Sequence, residues 1–170
     1  MKANKRVSSL LAVVCILVLT SCPLGFARTI HVANDGSGDY STIQAAIEAS
    51  VDGDLVLVAP GTYTGDGNRD IDSGGRAVTV RSETGPEFCI IQCGARYPQD
   101  DGTPTRSSLI QLIQGEYHRG FYFHSREDAN SVVQGFTITQ GYMGPYSGGA
   151  IYCEDSSPTI EDCIIAGNEI

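Results

Sequence analysis

Two stretches near the end of the chain decide its fold: VVQGFTITQG (132–141) and TIEDCIIAGN (159–168). Aligned at an offset of 27 residues, their apolar residues coincide in three pairs: Val133 with Ile160, Phe136 with Cys163, and Ile138 with Ile165. Phe136 and Ile138 lie two residues apart, as side-chain alternation in a strand requires, and so do their partners in the second stretch. Val133 and Phe136 lie three residues apart, which breaks this alternation. Each stretch therefore predicts two short strands joined by a corner, at Gln134–Gly135 and at Glu161–Asp162.

Further copies of this pattern precede the two stretches. CIIQCG (89–94) fits the same frame at an offset of 47, with a long excursion at about 95–119 between the copies. FYFH (121–124) corresponds to AIYC (150–153), with a turn two residues shorter in the second copy. Coils that stack equivalent residues are typical of an all-β, right-handed parallel β-helix solenoid. The alignment predicts one inward column made of Cys89, Phe136 and Cys163.

The rest of the chain is consistent with this architecture. Further short β-branched segments predict strands: LVLVA (55–59), AVTVR (77–81) and SLIQLI (108–113). One helix is predicted over Ser41–Ser50, with Ser41 as N-cap, Gln44 completing a capping box, and Ile43, Ala46 and Ile47 on one face. The predicted solenoid thus has an N-terminal cap at 29–54 and coils at 55–170. A leucine-rich repeat is excluded by the lack of LxxLxL framing, and a propeller is disfavoured by the absence of tryptophan.

Residues 1–27 predict an export signal rather than part of the fold. A basic segment with Lys2 and Lys5 precedes an apolar stretch at 10–19 that is too short to span a bilayer. Small residues at Gly25 and Ala27 favour cleavage before Arg28, which leaves 28–170 as the mature domain. The alternative is a lipoprotein signal in which Cys22 carries the lipid. Either signal predicts a secreted or cell-surface protein.

Charge and cysteine content limit the classes of binding partner, and they indicate whether disulfides or a zinc site are expected. The predicted mature chain has 8 Arg and 20 acidic residues, so its net charge is 8 − 20 = −12, which disfavours nucleic acid and anionic membranes. Four cysteines remain: Cys89, Cys93, Cys153 and Cys163. They are expected to be small buried hydrophobic residues, and a Cys153–Cys163 disulfide is the best candidate pairing. Zinc is disfavoured because there is no CxxC motif.

Two polar segments are candidate ligand sites. The alternating oxygens of Asp66, Asn68, Asp70 and Asp72 suggest calcium, but the EF-hand glycine and glutamate are missing. We expect a solvated corner there, with Arg69 available for pairing. The glycine-rich segment Asp35–Tyr40 lacks the GK[ST] ending of a phosphate loop and predicts a tight turn that positions the helix.

The remaining candidates are isolated histidines, aromatic residues and arginines. His31, His118 and His124 have no Ser or Cys partner at motif spacing, so no catalytic residue is assigned and no cofactor is expected. Four aromatic residues could stack on sugar rings if exposed, but are expected to fill the coil interior or its edge: Tyr117, Phe121, Tyr122 and Phe123. Two arginines and two neighbouring acids are expected to form surface ion pairs: Arg119, Arg126, Glu127 and Asp128.

The stretch TIHVANDGSGDYSTIQAAIEASVDGDLVLVAPGTYTG (29–65) resembles the opening of pectin-lyase-fold proteins, notably pectin methylesterases. The remaining coils resemble large exported bacterial β-helix proteins, and GGAI followed by CIIAGN resembles repeats of surface adhesins. The resemblance covers nearly all of 28–170 and implies the β-helix fold. It does not imply activity, because the QDTL-, DFIFG- and GRPW-like signatures of the esterases are absent, as are the signatures of polygalacturonases and pectate lyases.

Two functions are consistent with these observations. The first is an exported, non-catalytic β-helix module for cell-surface interaction or polysaccharide binding, forming the N-terminal part of a longer repeat protein. The alternative is a carbohydrate-active enzyme, a pectin esterase or polysaccharide lyase. An enzyme would need outward Asp, Arg and Gln side chains on consecutive coils, and no motif in the sequence indicates such a cluster.

Overall fold

The computed structural model describes residues 26–95, 117–143 and 148–169. These contain one helix and eleven strands. In chain order they are β1 (Thr29–Val32), α1 (Ile43–Glu48), β2 (Leu55–Val58), β3 (Gly61–Thr64), β4 (Thr79–Ser82), β5 (Cys89–Gln92), β6 (Phe121–Phe123), β7 (Val132–Gln134), β8 (Thr137–Thr139), β9 (Ile151–Cys153), β10 (Thr159–Glu161) and β11 (Ile164–Ile165).

The strands form three parallel sheets that wind into a solenoid of about four turns. Sheet A has the order β1-β2-β4-β7-β10, sheet B the order β3-β5-β8-β11, and sheet C pairs β6 with β9. All the strand pairs are parallel. Each coil passes from sheet A to sheet B to sheet C, as in a right-handed parallel β-helix. The predicted fold class is confirmed.

The registers confirm the repeat alignment. Val132 pairs with Thr159 and Ile138 pairs with Ile165, both at the predicted offset of 27, and Ile91 pairs with Ile138 at the offset of 47. The same registers align the predicted column. Cys89 and Phe136 are fully buried, and Cys163 packs against the same core.

The predicted corners occupy the left-handed region of backbone space. Gly135 has φ of 80°, and Asp162, its equivalent one coil later, has φ of 52°. Glycine adopts this conformation without strain and aspartate tolerates it better than most residues. The corner is what lets both flanking strands turn their apolar side chains inward.

The helix packs against β1 and β2, and its N-cap is a different residue from the one predicted. Ile43, Ala46 and Ile47 are buried as expected, but the N-cap is Thr42, whose side chain accepts a hydrogen bond from Ala45 N. The prediction of Ser41 with a Gln44 capping box is therefore wrong by one residue. In sequence, Ser41 and Thr42 are equally good caps, and only the backbone path distinguishes them.

Gln44 ties the helix to the next coil instead. Its amide nitrogen donates to Asp72 O at 3.2 Å, and its amide oxygen accepts from Asp72 N at 2.9 Å. Asn68 accepts a hydrogen bond from Ile43 N at the start of the helix. The Asp35–Tyr40 segment forms the predicted tight turn, in which a Cβ on Gly38 would lie 2.7 Å from Ala33 N. The side chains and the turn together fix the helix over the first coil.

Several further predictions need correction or fall outside the described residues. The strand Gly61–Thr64 was missed, although its Tyr63 is fully buried. Phe121 pairs with Ile151 at an offset of 30 whereas Val132 pairs with Thr159 at 27, so the later turn is shorter by three residues, not two. Residues 1–25 of the predicted 1–27 signal, Cys22 among them, lie outside the described residues, as do the strand SLIQLI and most of the excursion.

The four cysteines among the described residues are free thiols, so the predicted Cys153–Cys163 disulfide is wrong. Cys153 ends β9 and is exposed, whereas Cys163 turns inward at a corner and packs against the core. Cys89 and Cys93 are fully buried, and burial raises the pKa of each thiol to about 12. The prediction that cysteines act as small apolar residues is confirmed for these two.

Candidate functional site

Sheet C carries the most distinctive polar surface of the described residues. Ile71 forms a parallel bridge with Phe121, and Phe121 pairs with Ile151, so three successive coils contribute rungs to this sheet. Ile71 and Phe121 point into the core, with at most 1% exposed. Because strand side chains alternate, the neighbours Asp72, Tyr122 and Tyr152 form an outward column.

An arginine and two tyrosines form the centre of this surface. The Arg119 guanidinium carbon lies 4.8 Å from the ring centroid of Tyr122 and 4.8 Å from that of Tyr152. The two ring centroids are 5.7 Å apart. Within the described residues, Arg119 forms no side-chain hydrogen bond or ion pair. A cation over aromatic faces is attracted to them, and its donors remain available to a ligand.

Tyr122 is fixed by its neighbours on both sides. Its ring stacks on that of His124, with the centroids 4.1 Å apart, and its hydroxyl donates to Glu154 at 3.2 Å. Partial burial, followed by this hydrogen bond, raises the pKa of Tyr122. The hydroxyl therefore stays protonated, and the ring is held in one orientation.

Two carboxylate–imidazole pairs flank the tyrosines. Nδ1 of His118 lies 2.6 Å from Asp70, and Nε2 of His124 lies 3.1 Å from Asp72. The second Asp70 oxygen accepts a hydrogen bond from the Arg119 backbone N at 2.9 Å. Asp70 therefore orients the imidazole of His118 while fixing the backbone that carries Arg119.

Gly120 permits the close packing behind the site. A Cβ at this position would lie 2.6 Å from Ile138 Cγ2 and 2.9 Å from Ala150 O. Any side chain here would push the strand outward. Gly120 thus allows the backbone here to pack closely against Ile138 and Ala150.

We call this region the tyrosine surface. It comprises the outward side chains of Asp70, Asp72, His118, Arg119, Tyr122, His124, Tyr152 and Glu154.

The structure sorts the aromatic and histidine candidates into three groups. Phe121 and Phe123 fill the interior, as expected. Tyr122, His118 and His124 lie on the tyrosine surface. Tyr117 packs against Tyr142 with ring centroids 5.6 Å apart, and His31 is exposed on sheet A. The two histidines that appeared isolated in the sequence each have an aspartate partner, about 50 residues away along the chain.

The acidic corner at Asp66–Asp72 is occupied by protein contacts. Asp66 pairs with Arg69 at 3.0 Å, as predicted, and Asp70 and Asp72 pair with the two histidines. Among the described residues, no group of three or more His, Cys, Asp or Glu side chains is arranged to hold a metal ion.

The predicted surface pair at Arg126–Glu127 is wrong. Glu127 is 3% exposed, and its carboxylate accepts four hydrogen bonds, three of them from residues that lie close only in the folded chain. Arg126 is exposed with φ of 64°, which turns the chain so that Glu127 points inward. Sequence proximity of opposite charges was the wrong signal here.

No motif in the sequence indicates outward acidic and basic side chains on consecutive coils, and the structure corrects this expectation. Asp70 and Asp72 lie on one coil and Arg119 on the next. Asp70 and His118 are 48 residues apart, and the long excursion separates them. Aligning Ile71 with Phe121 as equivalent residues of successive coils would have predicted that Asp70 and Asp72 lie beside the 118–124 segment.

Comparison with known proteins supports the fold and leaves the activity open. No family model matches the chain, and no curated protein matches it in sequence. Among solved structures, pectin methylesterase from carrot is similar, with a TM-score of 0.51 and 18% identity over 79% of this chain. The chain spans 38% of the length of that structure. At this identity the similarity shows a shared parallel β-helix fold.

Proposed function

We propose that the chain is an exported carbohydrate-binding β-helix module and that its ligand lies on the tyrosine surface. The observation that carries the proposal is the position of Arg119, whose guanidinium lies 4.8 Å from both tyrosine rings. The likeness to pectin methylesterase from carrot supports a saccharide as ligand. The proposal of export rests on the predicted signal. As a separate finding, none of the described residues forms a helix long and apolar enough to cross a bilayer.

The chemistry of the surface suits a sugar polymer. Tyrosine rings offer apolar faces to the C–H faces of a pyranose, and carboxylates, imidazoles and a guanidinium bind hydroxyl and carboxyl groups. The site is part of a regular sheet with successive coils about 4.8 Å apart. A site repeated over three coils is matched to an extended chain rather than to a compact small molecule.

Replacing Tyr152 or Arg119 by alanine is expected to weaken binding of oligogalacturonate roughly 5- to 30-fold, because each loses a stacking or cation–π contact of about 1–2 kcal/mol. Isothermal titration calorimetry measures the effect. Arg81→Ala is the matched control, since Arg81 is exposed on the outer face of sheet A. Equal affinities for all three variants would exclude the tyrosine surface as the binding site.

A second function, catalysis on an acidic polysaccharide, is favoured by one specific observation. Asp70 accepts from the Arg119 backbone with one oxygen and holds His118 Nδ1 at 2.6 Å with the other. An imidazole oriented in this way has Nε2 left to accept a proton as a general base. Arg119, next in the sequence, would bind the carboxyl or ester group of the sugar.

Turnover of methylated or unmethylated polygalacturonate, assayed with and without calcium, distinguishes the two functions. A catalytic site predicts measurable ester hydrolysis or unsaturated product, and a loss of at least about 100-fold in His118→Ala. The control His31→Ala changes an exposed histidine on sheet A and should retain full activity. Binding without turnover in the wild-type chain would leave the module as a binding protein and exclude the enzyme.

A further inference from the structure

The buried carboxylate of Asp54 binds both the backbone and the side chain of one residue, Arg28. Asp54 is 1% exposed. Its Oδ1 accepts the Arg28 backbone N–H at 2.8 Å, and its Oδ2 accepts Arg28 Nη2 at 2.8 Å and Nε at 3.2 Å. A further hydrogen bond comes from Val51 N at 3.0 Å. The buried carboxylate of Asp54 thus holds in place the residue that immediately precedes β1.

Arg28 is also the residue that follows the predicted cleavage point. Phe26 is 92% exposed and Ala27 is exposed, whereas Ile30, two residues after Arg28, is buried. The backbone nitrogen held by Asp54 is therefore the atom that would become the new α-amino group. In the uncleaved chain this nitrogen is a neutral amide.

We propose that cleavage between Ala27 and Arg28 creates an α-ammonium group that forms an ion pair with Asp54, so that export processing strengthens the first coil. In this step a leader peptidase adds water across the peptide bond. The carbonyl carbon of Ala27 becomes a carboxylate, and the Arg28 nitrogen leaves as an amine and is protonated. The inference rests on the predicted signal and is independent of ligand binding.

The surroundings of Asp54 suit a second cation. The hydrogen bond from the Arg28 side chain is the main cause that lowers the pKa of Asp54 to about 2, so the carboxylate is ionised at neutral pH. Among the described residues, Asp39 and Tyr40 are the other charged or titratable groups that line the depression beside Arg28. The side chain of Arg28 is 56% exposed, so water screens the repulsion between its guanidinium and the new ammonium group.

The absence of lysine after residue 27 makes the proposal directly testable. Both lysines of the chain are at positions 2 and 5, so an amine-specific reagent acetylates a chain of residues 28–170 at its α-amino group alone. The acetylated chain keeps the N–H donor and loses the charge. It is a matched control for the ammonium group, with every other residue unchanged.

We expect the free-amine chain to have an unfolding equilibrium constant about fivefold lower than the acetylated chain at pH 6.5, or a Tm about 3 °C higher. A paired α-amine has a pKa raised above its unfolded value of about 7.7. Its stabilisation is therefore complete below that value and is lost as pH rises through the folded value. The difference between the two chains should vanish by about pH 10.5.

Two further measurements make the result decisive. The folded α-amine should react with the acetylating reagent at least tenfold more slowly than the same amine in urea, and this protection should be lost in Asp54→Asn. Mass spectrometry of the exported protein should find Arg28 as its first residue. The proposal would be overturned if the free-amine and acetylated chains were equally stable and the folded amine reacted as fast as the amine in urea. A mature chain that begins at Cys22 would also overturn it.

Discussion

Replacing Glu127 by alanine is expected to lower the free energy of unfolding by about 3 kcal/mol, because it leaves buried donors without an acceptor. Oε1 of Glu127 accepts Ser73 Oγ at 2.8 Å and Gly75 N at 3.0 Å, and Oε2 accepts Ser125 N and Ser156 Oγ, each at 2.8 Å. These donors belong to three successive coils. One carboxylate therefore holds together the turns that lead into sheet A.

The effect of Glu127 should depend on pH in a defined direction. Burial alone would raise the pKa of Glu127, but the hydrogen bonds, led by that from Ser73, lower it from 4.5 to about 2. A depressed folded pKa gives stability that is present above the unfolded value and lost as pH falls through the folded value. The contribution of roughly 3 kcal/mol is thus complete above pH 4.5 and lost towards pH 2.

Urea denaturation at several pH values measures both effects. Glu127→Gln preserves the shape and places an amide NH2 against N–H and O–H donors, so its deficit should be largest at neutral pH and shrink between pH 4.5 and 2. Glu87→Ala is the control, because Glu87 is exposed. A deficit in Glu127→Gln that stays constant across this range would show that the carboxylate charge does not contribute.

Replacing Phe136 by alanine is expected to cost about 3–5 kcal/mol. Phe136 is fully buried, its ring centroid lies 6.4 Å from that of Phe121, and the registers place it between Cys89 and Cys163 in the inward column. The alanine variant would leave a cavity in the middle of the solenoid, where parallel strands on both sides prevent collapse.

The matched control makes the same change at an exposed phenylalanine. Phe88 lies just before β5 and is 60% exposed, so Phe88→Ala should cost about 0.5 kcal/mol or less in urea denaturation. If Phe136→Ala fails to fold, Phe136→Leu provides a milder test, with an expected cost of about 1.5 kcal/mol. Similar losses at positions 136 and 88 would contradict the stacking of the column.

Much of the fold could be predicted because a solenoid repeats itself. The offsets of 27 and 47 residues and the corners at Gly135 and Asp162 follow from apolar spacing alone. The missed strand Gly61–Thr64 has a single inward residue, Tyr63, between outward threonines. One apolar side chain is too short a pattern to distinguish a strand from a turn.

The site was harder to predict because its residues come from different coils. Asp70 and His118 are 48 residues apart and Asp72 and His124 are 52 apart, and no short motif contains either pair. Glu127 illustrates the opposite error, since a charged neighbour in sequence indicated a surface pair. Local patterns predict how each coil is built, and only the stacking of coils determines which outward side chains meet.

Amide chemical-shift mapping of the chain with trigalacturonate tests whether the tyrosine surface binds a saccharide chain. We expect perturbed resonances confined to residues 70–72, 118–124 and 152–154. Resonances of the outer faces of sheets A and B should stay unchanged at saturating ligand. Perturbations centred on either of those faces, or none anywhere up to millimolar oligosaccharide, would contradict it.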